Sequence, residues 1–494
     1  MTDQPLVERR RRTLQILMPS FPGPELPEWV DSLLRDGLGG VCLYADNIVD
    51  LDQLAALTAS IRAANPQAIL SIDEEGGDVS RLYQREGSPF PGNAVLGRLD
   101  DPALTRAVAH QVGTELAAVG INLALAPDAD VNTNTANPVI GVRSFGTDPL
   151  VAANHTSAWV EGVQAAGVAA CAKHFPGHGD TAADSHVSEP VVHADADTLN
   201  DRELLPFRAA IEAGTRTIMT SHIRVPALDS HNVATFSSSM LGDLLRGAMG
   251  FQGVVVTDAL DMAGASAERG IPGAAVAAVA AGADLLCLGP APSESEVHAV
   301  VDALADAAEL PGTRLHDASD RCAELAAWMN ANRYDPGDGV TSSTPGPIIT
   351  AGQIASTFGL SDHARSVLAD RNRPIRWVNL APEQNVAIGA TPFGPFHRGG
   401  AVATLDVPAD DRSLADSYVD QPGALTVIVG RELHRDPCAS QAAASIAARS
   451  LALIVDMGFT VGDGVDTADG VDIATFGASR LVGDALIELV EGRR

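Results

Sequence analysis

The chain has 494 residues, too many for one ordinary core, and 46% of them are hydrophobic, so two or three folded domains are expected and wholesale disorder is excluded. Lysine and arginine total 33 against 63 aspartate and glutamate, a formal charge of −30, and a field of that sign opposes nucleic acid and anionic membrane as partners. Five scattered cysteines without a CxxC read as reduced, buried residues of a cytoplasmic protein. No apolar run approaches the length of a membrane span, and Pro19 interrupts the short apolar run after Arg9–Arg12 that could otherwise begin a signal peptide.

Along the first two-thirds, short apolar runs alternate with longer helical patterns. Strand-like runs fall at 14–18, 40–44, 68–72, 121–126, 168–172, 217–221, 254–257 and 283–288. Helix-like segments at 51–63, 102–118, 149–166, 197–213, 238–248 and 274–281 separate them. Asp101 before Pro102 and Asp148 before Pro149 are cap-like starts, since proline suits the first helical turn. Eight βα units in this length predict an α/β fold, an N-terminal (β/α)8 TIM-like barrel over residues 1–335. An open doubly wound sheet is the alternative. A Gly-, Pro- and Ser-rich linker is expected at 336–347. Beyond it, runs at 375–380, 401–407, 425–429, 451–455 and 471–475 predict a smaller parallel α/β/α C-terminal domain over 348–494. That domain has no dinucleotide fingerprint and no phosphate loop, and a structural or dimer-forming role is its plainest reading.

Barrel enzymes place their chemistry where the strands end. Here the third run leads into Asp73-Glu74-Glu75-Gly76-Gly77, the fourth into Asp128-Ala129-Asp130 and the fifth into Lys173-His174. The sixth ends at Ser221-His222 and the seventh at Thr257-Asp258. The densest cluster is Lys173-His174-Phe175-Pro176-Gly177-His178-Gly179-Asp180-Thr181-Ala182-Ala183-Asp184-Ser185-His186, whose glycines and proline forbid a regular helix. Asp258 suits a nucleophile or base, or alternatively an N-cap for the following helix. Asp184 and His186, two apart on a loop, can form a proton-shuttling dyad or a solvated pair. Asp73 and Arg81 bracket a glycine pair that permits a tight turn toward one cavity. Arg143 can fork onto a hydroxylated or anionic ligand, or sit in a surface ion pair. His174, His178 and His186 with Asp180 and Asp184 could supply zinc ligands, but Phe175-Pro176-Gly177 breaks the helical spacing between the first two histidines. The expectation is no metal and no cofactor.

The lysine-to-histidine motif, with 72–77, 138–146 and 255–262 in the same order, closely resembles the signature of the β-N-acetylglucosaminidases of glycoside hydrolase family 3, over roughly residues 10 to 330. The resemblance implies a retaining exo-β-N-acetylglucosaminidase acting on a small carbohydrate substrate, either a GlcNAc-containing glycoside or a muropeptide fragment from peptidoglycan recycling. It makes Asp258 the nucleophile, His186 the acid/base and Asp184 its carboxylate partner. Asp73, Arg81, Arg143, Lys173 and His174 would hold the sugar ring. A phosphorylase using the same site, a silent sugar-binding protein and a metal-dependent hydrolase are the competing readings. The chain departs from the family pattern at Glu74, where Gln is common, at Asp78, where Arg is common, and at Ala259, where some members carry Asp. The resemblance leaves the oligomeric state open.

Overall fold

The computed structural model describes residues 4–492 apart from 184–188, 308–309, 311–312, 334–347, 371, 384–387, 390–392, 398 and 460–469. The expected linker therefore lies outside the described residues. Two compact units are present. The first comprises Met1–Glu75, Pro102–Pro138 and Thr147–Thr344; the second comprises Gly76–Asp101, Val139–Gly146 and Pro345–Arg494. The division is therefore not one cut in the chain, as the sequence suggests. Two internal segments group with the carboxy-terminal residues.

In the first unit every expected run contributes a strand: β1 (Leu17–Met18), β2 (Gly40–Leu43), β3 (Ile69–Ile72), β4 (Leu123–Ala124), β5 (Ala169–Phe175), β6 (Thr217–Thr220), β7 (Val254–Val256) and β8 (Leu286–Cys287). Strands β2 to β7 form one parallel sheet in sequence order. Strands β1 and β8 pair in parallel, Leu17 opposite Leu286. Backbone bonds continue from Leu285 to Val255 and from Thr257 to Leu285, and further bonds join Gly39 to Leu14 and Cys42 to Pro19. These strands are buried along their whole length, the pattern of a parallel sheet covered on both faces. The architecture is α/β with a curled parallel sheet.

Two departures from the sequence reading are local. Leu14 and Gln15 belong to a helix, Gln4–Gln15, because its arginines find partners along the chain: Arg9 donates to the Ala307 carbonyl at 2.5 Å, and Arg12 donates to Ser319 at 2.8 Å. After β6 comes an antiparallel ribbon, Arg224–Val225 with Asp229–Val233, whose polar residues gave no strand signal. The helices Leu51–Ala64, Pro102–Ala118 and Pro149–Ala165 agree with expectation, and Asp50 and Asp148 cap two of them through backbone N–H groups.

The second unit holds β9 (Gly359–Leu360), β10 (Ile375–Leu380), β11 (Ala403–Val407), β12 (Leu425–Gly430), β13 (Ala452–Asp456) and β14 (Ile473–Ala474), in the order β9-β14-β13-β12-β10-β11. All neighbours are parallel except β9, which pairs antiparallel with β14 at the edge. Val378, Val407, Ile428 and Ile446 are fully buried in its core.

Candidate active site

Strand β5 runs on into Lys173, His174 and Phe175, which turns the most titratable motif of the chain into a buried strand end. The Lys173 ammonium is 2% exposed and lies 2.7 Å from Asp73 Oδ1 and 2.8 Å from Glu75 Oε1. A buried ammonium keeps its charge only with such partners, and two carboxylates after β3 provide them. The neighbouring imidazole is fixed from the end of β4. His174 Nδ1 lies 2.7 Å from Asp130 Oδ2, and Asp130 also accepts the His178 N–H at 2.6 Å. Burial alone would raise the Asp130 carboxyl, but His174 and His178 outweigh it and hold it down to about 2. An ionised Asp130 accepts from Nδ1–H and so sets which ring nitrogen of His174 carries the proton. Burial pushes His178 down to about 4, so it is neutral at pH 7.

The motif glycines have specific work. A Cβ on Gly179 would stand 1.9 Å from the Val131 carbonyl oxygen, and one on Gly177 would stand 2.8 Å from Glu203 Cβ. Only glycine lets this loop close onto the residues that follow β4.

Asp258 follows β7 by two residues and is partly exposed, whereas Thr257 is fully buried. Its Oδ1 accepts the N–H of Ala259 at 2.8 Å. The next helix, Ala263–Ser266, is preceded by Met262 at its N-cap position with no side-chain cap, so the N-cap alternative for Asp258 does not hold. The charge of Asp258 is felt at His178 and at Cys171, and that of Asp73 at Cys171 and Tyr44. The ends of β3, β4, β5 and β7 thus share one electrostatic neighbourhood. His222, after β6, bridges Thr235 at 2.9 Å and donates from Nε2 to the Ala259 carbonyl at 3.0 Å, which pins the backbone next to Asp258.

Of the residues singled out from sequence, Asp73, Lys173, His174 and Asp258 come together in the first unit. Arg81 and Arg143 lie in the second unit, 8% and 5% exposed. Asp184 and His186 lie outside the described residues. Sequence reasoning did not single out Asp130, Glu75 or His222 as site residues, although each sits in a strand-end cluster it had noted. Asp128, Asp130 and His174 have ligand atoms within 4.8 Å of one another and are the group, among the described residues, that could hold a divalent cation. Asp180, part of the metal alternative, instead meets Arg202 at 2.7 Å.

Nothing in the local pattern around Glu203 marks it as a functional group. Its carboxyl is buried beside Gly177, with Arg202 Nε 2.7 Å from Oε1, and burial pushes it up to about 7 despite that guanidinium. A raised acid stabilises the fold fully below its unfolded value near 4.5, and that contribution is lost as pH rises through about 7. His178 acts oppositely: its stabilisation is present above 6.5 and lost as pH falls through about 4. The two slopes largely offset in the wild type. Glu203→Gln is expected to leave the His178 slope exposed, so that stability measured by urea unfolding climbs between pH 4.5 and 7 by on the order of 3 kcal/mol more than in the wild type. Parallel curves for the two proteins would show that Glu203 does not titrate there.

A model of the glycosyl hydrolase family 3 N-terminal domain matches residues 10–325. The chain is 42% identical over 262 residues to beta-hexosaminidase A of Pseudoalteromonas piscicida, an alignment covering 49% of this chain and 44% of that protein. The chain therefore spans less than half the length of that relative. It is 37% identical over 279 residues to a beta-hexosaminidase of Stenotrophomonas maltophilia strain R551-3, covering 55% of this chain and 82% of that one. Among solved structures, a glycoside hydrolase family 3 beta-N-acetylglucosaminidase from Paenibacillus sp. str. FPU-7 matches with a TM-score of 0.84 at 28% identity, over 98% of this chain and 96% of that one. With the family model spanning well over half of the residues, including the ends of β3 to β7, the chain belongs to glycosyl hydrolase family 3.

Proposed function

We propose that this protein is a retaining exo-β-N-acetylglucosaminidase. The observation that carries the reading is the shared neighbourhood of Asp258 with the Lys173–Asp73–Glu75 and His174–Asp130 groups at the ends of parallel strands. The likeness to the Paenibacillus enzyme over nearly the whole chain supports it. The curled sheet is read as a (β/α)8 barrel, supported by the backbone bonds that run from β7 through β8 and β1 to β2.

In this mechanism Asp258 attacks the anomeric carbon of a terminal β-linked N-acetylglucosamine. The bond to the departing oxygen breaks, and His186, oriented by Asp184, gives that oxygen a proton. Water then resolves the glycosyl-aspartate, losing its proton to His186, and the sugar leaves with its original configuration. Most retaining glycosidases use a second carboxylate for the proton. An imidazole avoids like-charge repulsion beside Asp258 and still cycles near neutral pH. Lys173 donates to, and Asp73 accepts from, ring hydroxyls; His174, held by Asp130, adds a directed contact. Arg81 and Arg143 complete the proposed binding set. The natural substrates proposed are GlcNAc-containing peptidoglycan fragments in the cytoplasm, a location that five unbridged cysteines favour.

The purified protein is expected to release 4-nitrophenol from the 4-nitrophenyl N-acetyl-β-glucosaminide, and a 5-fluoro glycoside should label Asp258, read by peptide mass spectrometry. Accumulation of sugar 1-phosphate in phosphate buffer would move the reading to phosphorolysis. His186→Ala should spare activated aryl glycosides in the first step while slowing unactivated ones by about 10²-fold or more. Equal losses on both substrates would remove His186 from proton transfer.

A further inference from the structure

The carboxy-terminal unit supplies neither the nucleophile nor the acid/base proposed above. It nevertheless contains Gly76–Asp101 and Val139–Gly146, the two internal segments that bear Arg81 and Arg143. The first of these is fastened near both ends. Near its start, the Asp78 carboxylate lies 2.9 Å from Arg431 Nη2, with the side chains 3% and 11% exposed. The other Asp78 oxygen accepts the Ala478 N–H at 2.8 Å. Arg431 directly follows β12 and Ala478 follows β14, so one carboxylate is gripped from two strand ends of the sheet. Near the end of the segment, Arg98 stacks over Phe476 at 3.9 Å and donates from Nε to the Thr357 carbonyl at 2.7 Å. Arg81 lies between these anchors and donates to the Ile388 carbonyl at 3.4 Å. The second segment is held apolarly: Val142 is buried with Phe459, Ala474 and Phe476, and Asn93 Nδ2 donates to the Arg143 carbonyl at 2.6 Å.

Asp78 is also the position where the chain carries an acid in place of the arginine common in the family pattern. That reversal meets a cation, Arg431, from the carboxy-terminal part of the sequence. We propose that Asp78 and Arg431 are a positioning pair: they fix the stretch that carries Arg81 and so set the direction of its guanidinium. The inference rests on the reading of Arg81 as a sugar-binding residue. A guanidinium discriminates hydroxyl geometry only when its backbone is fixed, so loosening the anchor weakens binding while leaving the Asp258 chemistry in place.

The test compares Asp78→Asn, Arg431→Met and the charge-swapped double variant Asp78→Arg/Arg431→Asp in the full chain. It reads kcat and KM on the aryl glycoside, the Kd of N-acetylglucosamine by calorimetry, and melting temperature. Each single change is expected to raise KM and Kd about tenfold with kcat within about twofold, and the swap to recover most of the loss. If Arg431→Met does not fold, Arg431→Lys takes its place; it keeps the charge but loses the planar fork, and a smaller rise in KM and Kd is expected. Unchanged KM and Kd in folded variants, a loss confined to kcat, or a swap no better than the singles would overturn the proposal. A wild type that binds the sugar without turning over glycosides would sink the hydrolase reading alone, because the Kd arm still decides the role of the pair. A wild type that binds no sugar would overturn both.

Discussion

Asp258→Ala is expected to lower turnover of the aryl glycoside by at least ~10⁴-fold, more than 5 kcal/mol of lost transition-state stabilisation. The side chain stands at the end of a buried strand, partly exposed, and it is not the N-cap of the helix that follows. Among the described neighbours, the other carboxylates are each held by a cation or by imidazoles. Asp130 is engaged by His174 and His178, and Asp73 and Glu75 by Lys173. The fold should survive the change, since a partly exposed strand-end carboxylate contributes little to the core. Azide sharpens the result. A small anion that enters the space left by the carboxylate attacks from the same face and is not itself displaced, so azide should restore consumption of the activated glycoside and yield the α-glycosyl azide. Activity of the alanine variant within tenfold of wild type in the absence of azide would remove Asp258 from the nucleophile's role.

The place of Asp258 is legible because strand ends are legible. Each of the eight apolar runs became a strand, and each polar cluster after a run fell at its carboxyl end, so position along the chain translated directly into position in the site. Through-space partners are a different matter. Nothing in the local pattern of 128–130 says that Asp130 will clamp a histidine 44 residues later, nor that Glu203, inside a helical pattern, will be buried against Gly177. The unit boundaries were opaque for the same reason. Residues 76–101 and 139–146 lie within the run of βα units in sequence, and their membership in the second unit depends on pairs such as Asp78 with Arg431, separated by most of the chain. Leu14 was misread as strand because its apolar character suits a buried helix end equally well, and only the arginine contacts of 9–12 decide between them.

Lys173→Met is expected to reduce kcat/KM by about 10³-fold and to destabilise the fold by roughly 3 kcal/mol or more, since breaking a buried ion pair strands the remaining charge. The ammonium is shared by Asp73 and Glu75, both within 2.8 Å, and its removal leaves two carboxylates facing each other in a site that is largely out of water. Like charges raise at least one of the pair above the ordinary carboxylate range. An acid raised in the folded state stabilises fully below its unfolded value and loses that contribution as pH rises. The stability deficit of the variant should therefore be smallest below about pH 4 and widen toward neutrality. Glu75→Gln in the same background separates the two consequences. It removes one of the stranded charges and should recover much of the stability at pH 7, yet it cannot replace the donor to the sugar hydroxyls, so kcat/KM should stay low. Denaturant unfolding at pH 4 and pH 7, beside steady-state kinetics, reads both effects. Recovery of activity along with stability in the double variant would make Lys173 a structural cation and not a substrate ligand.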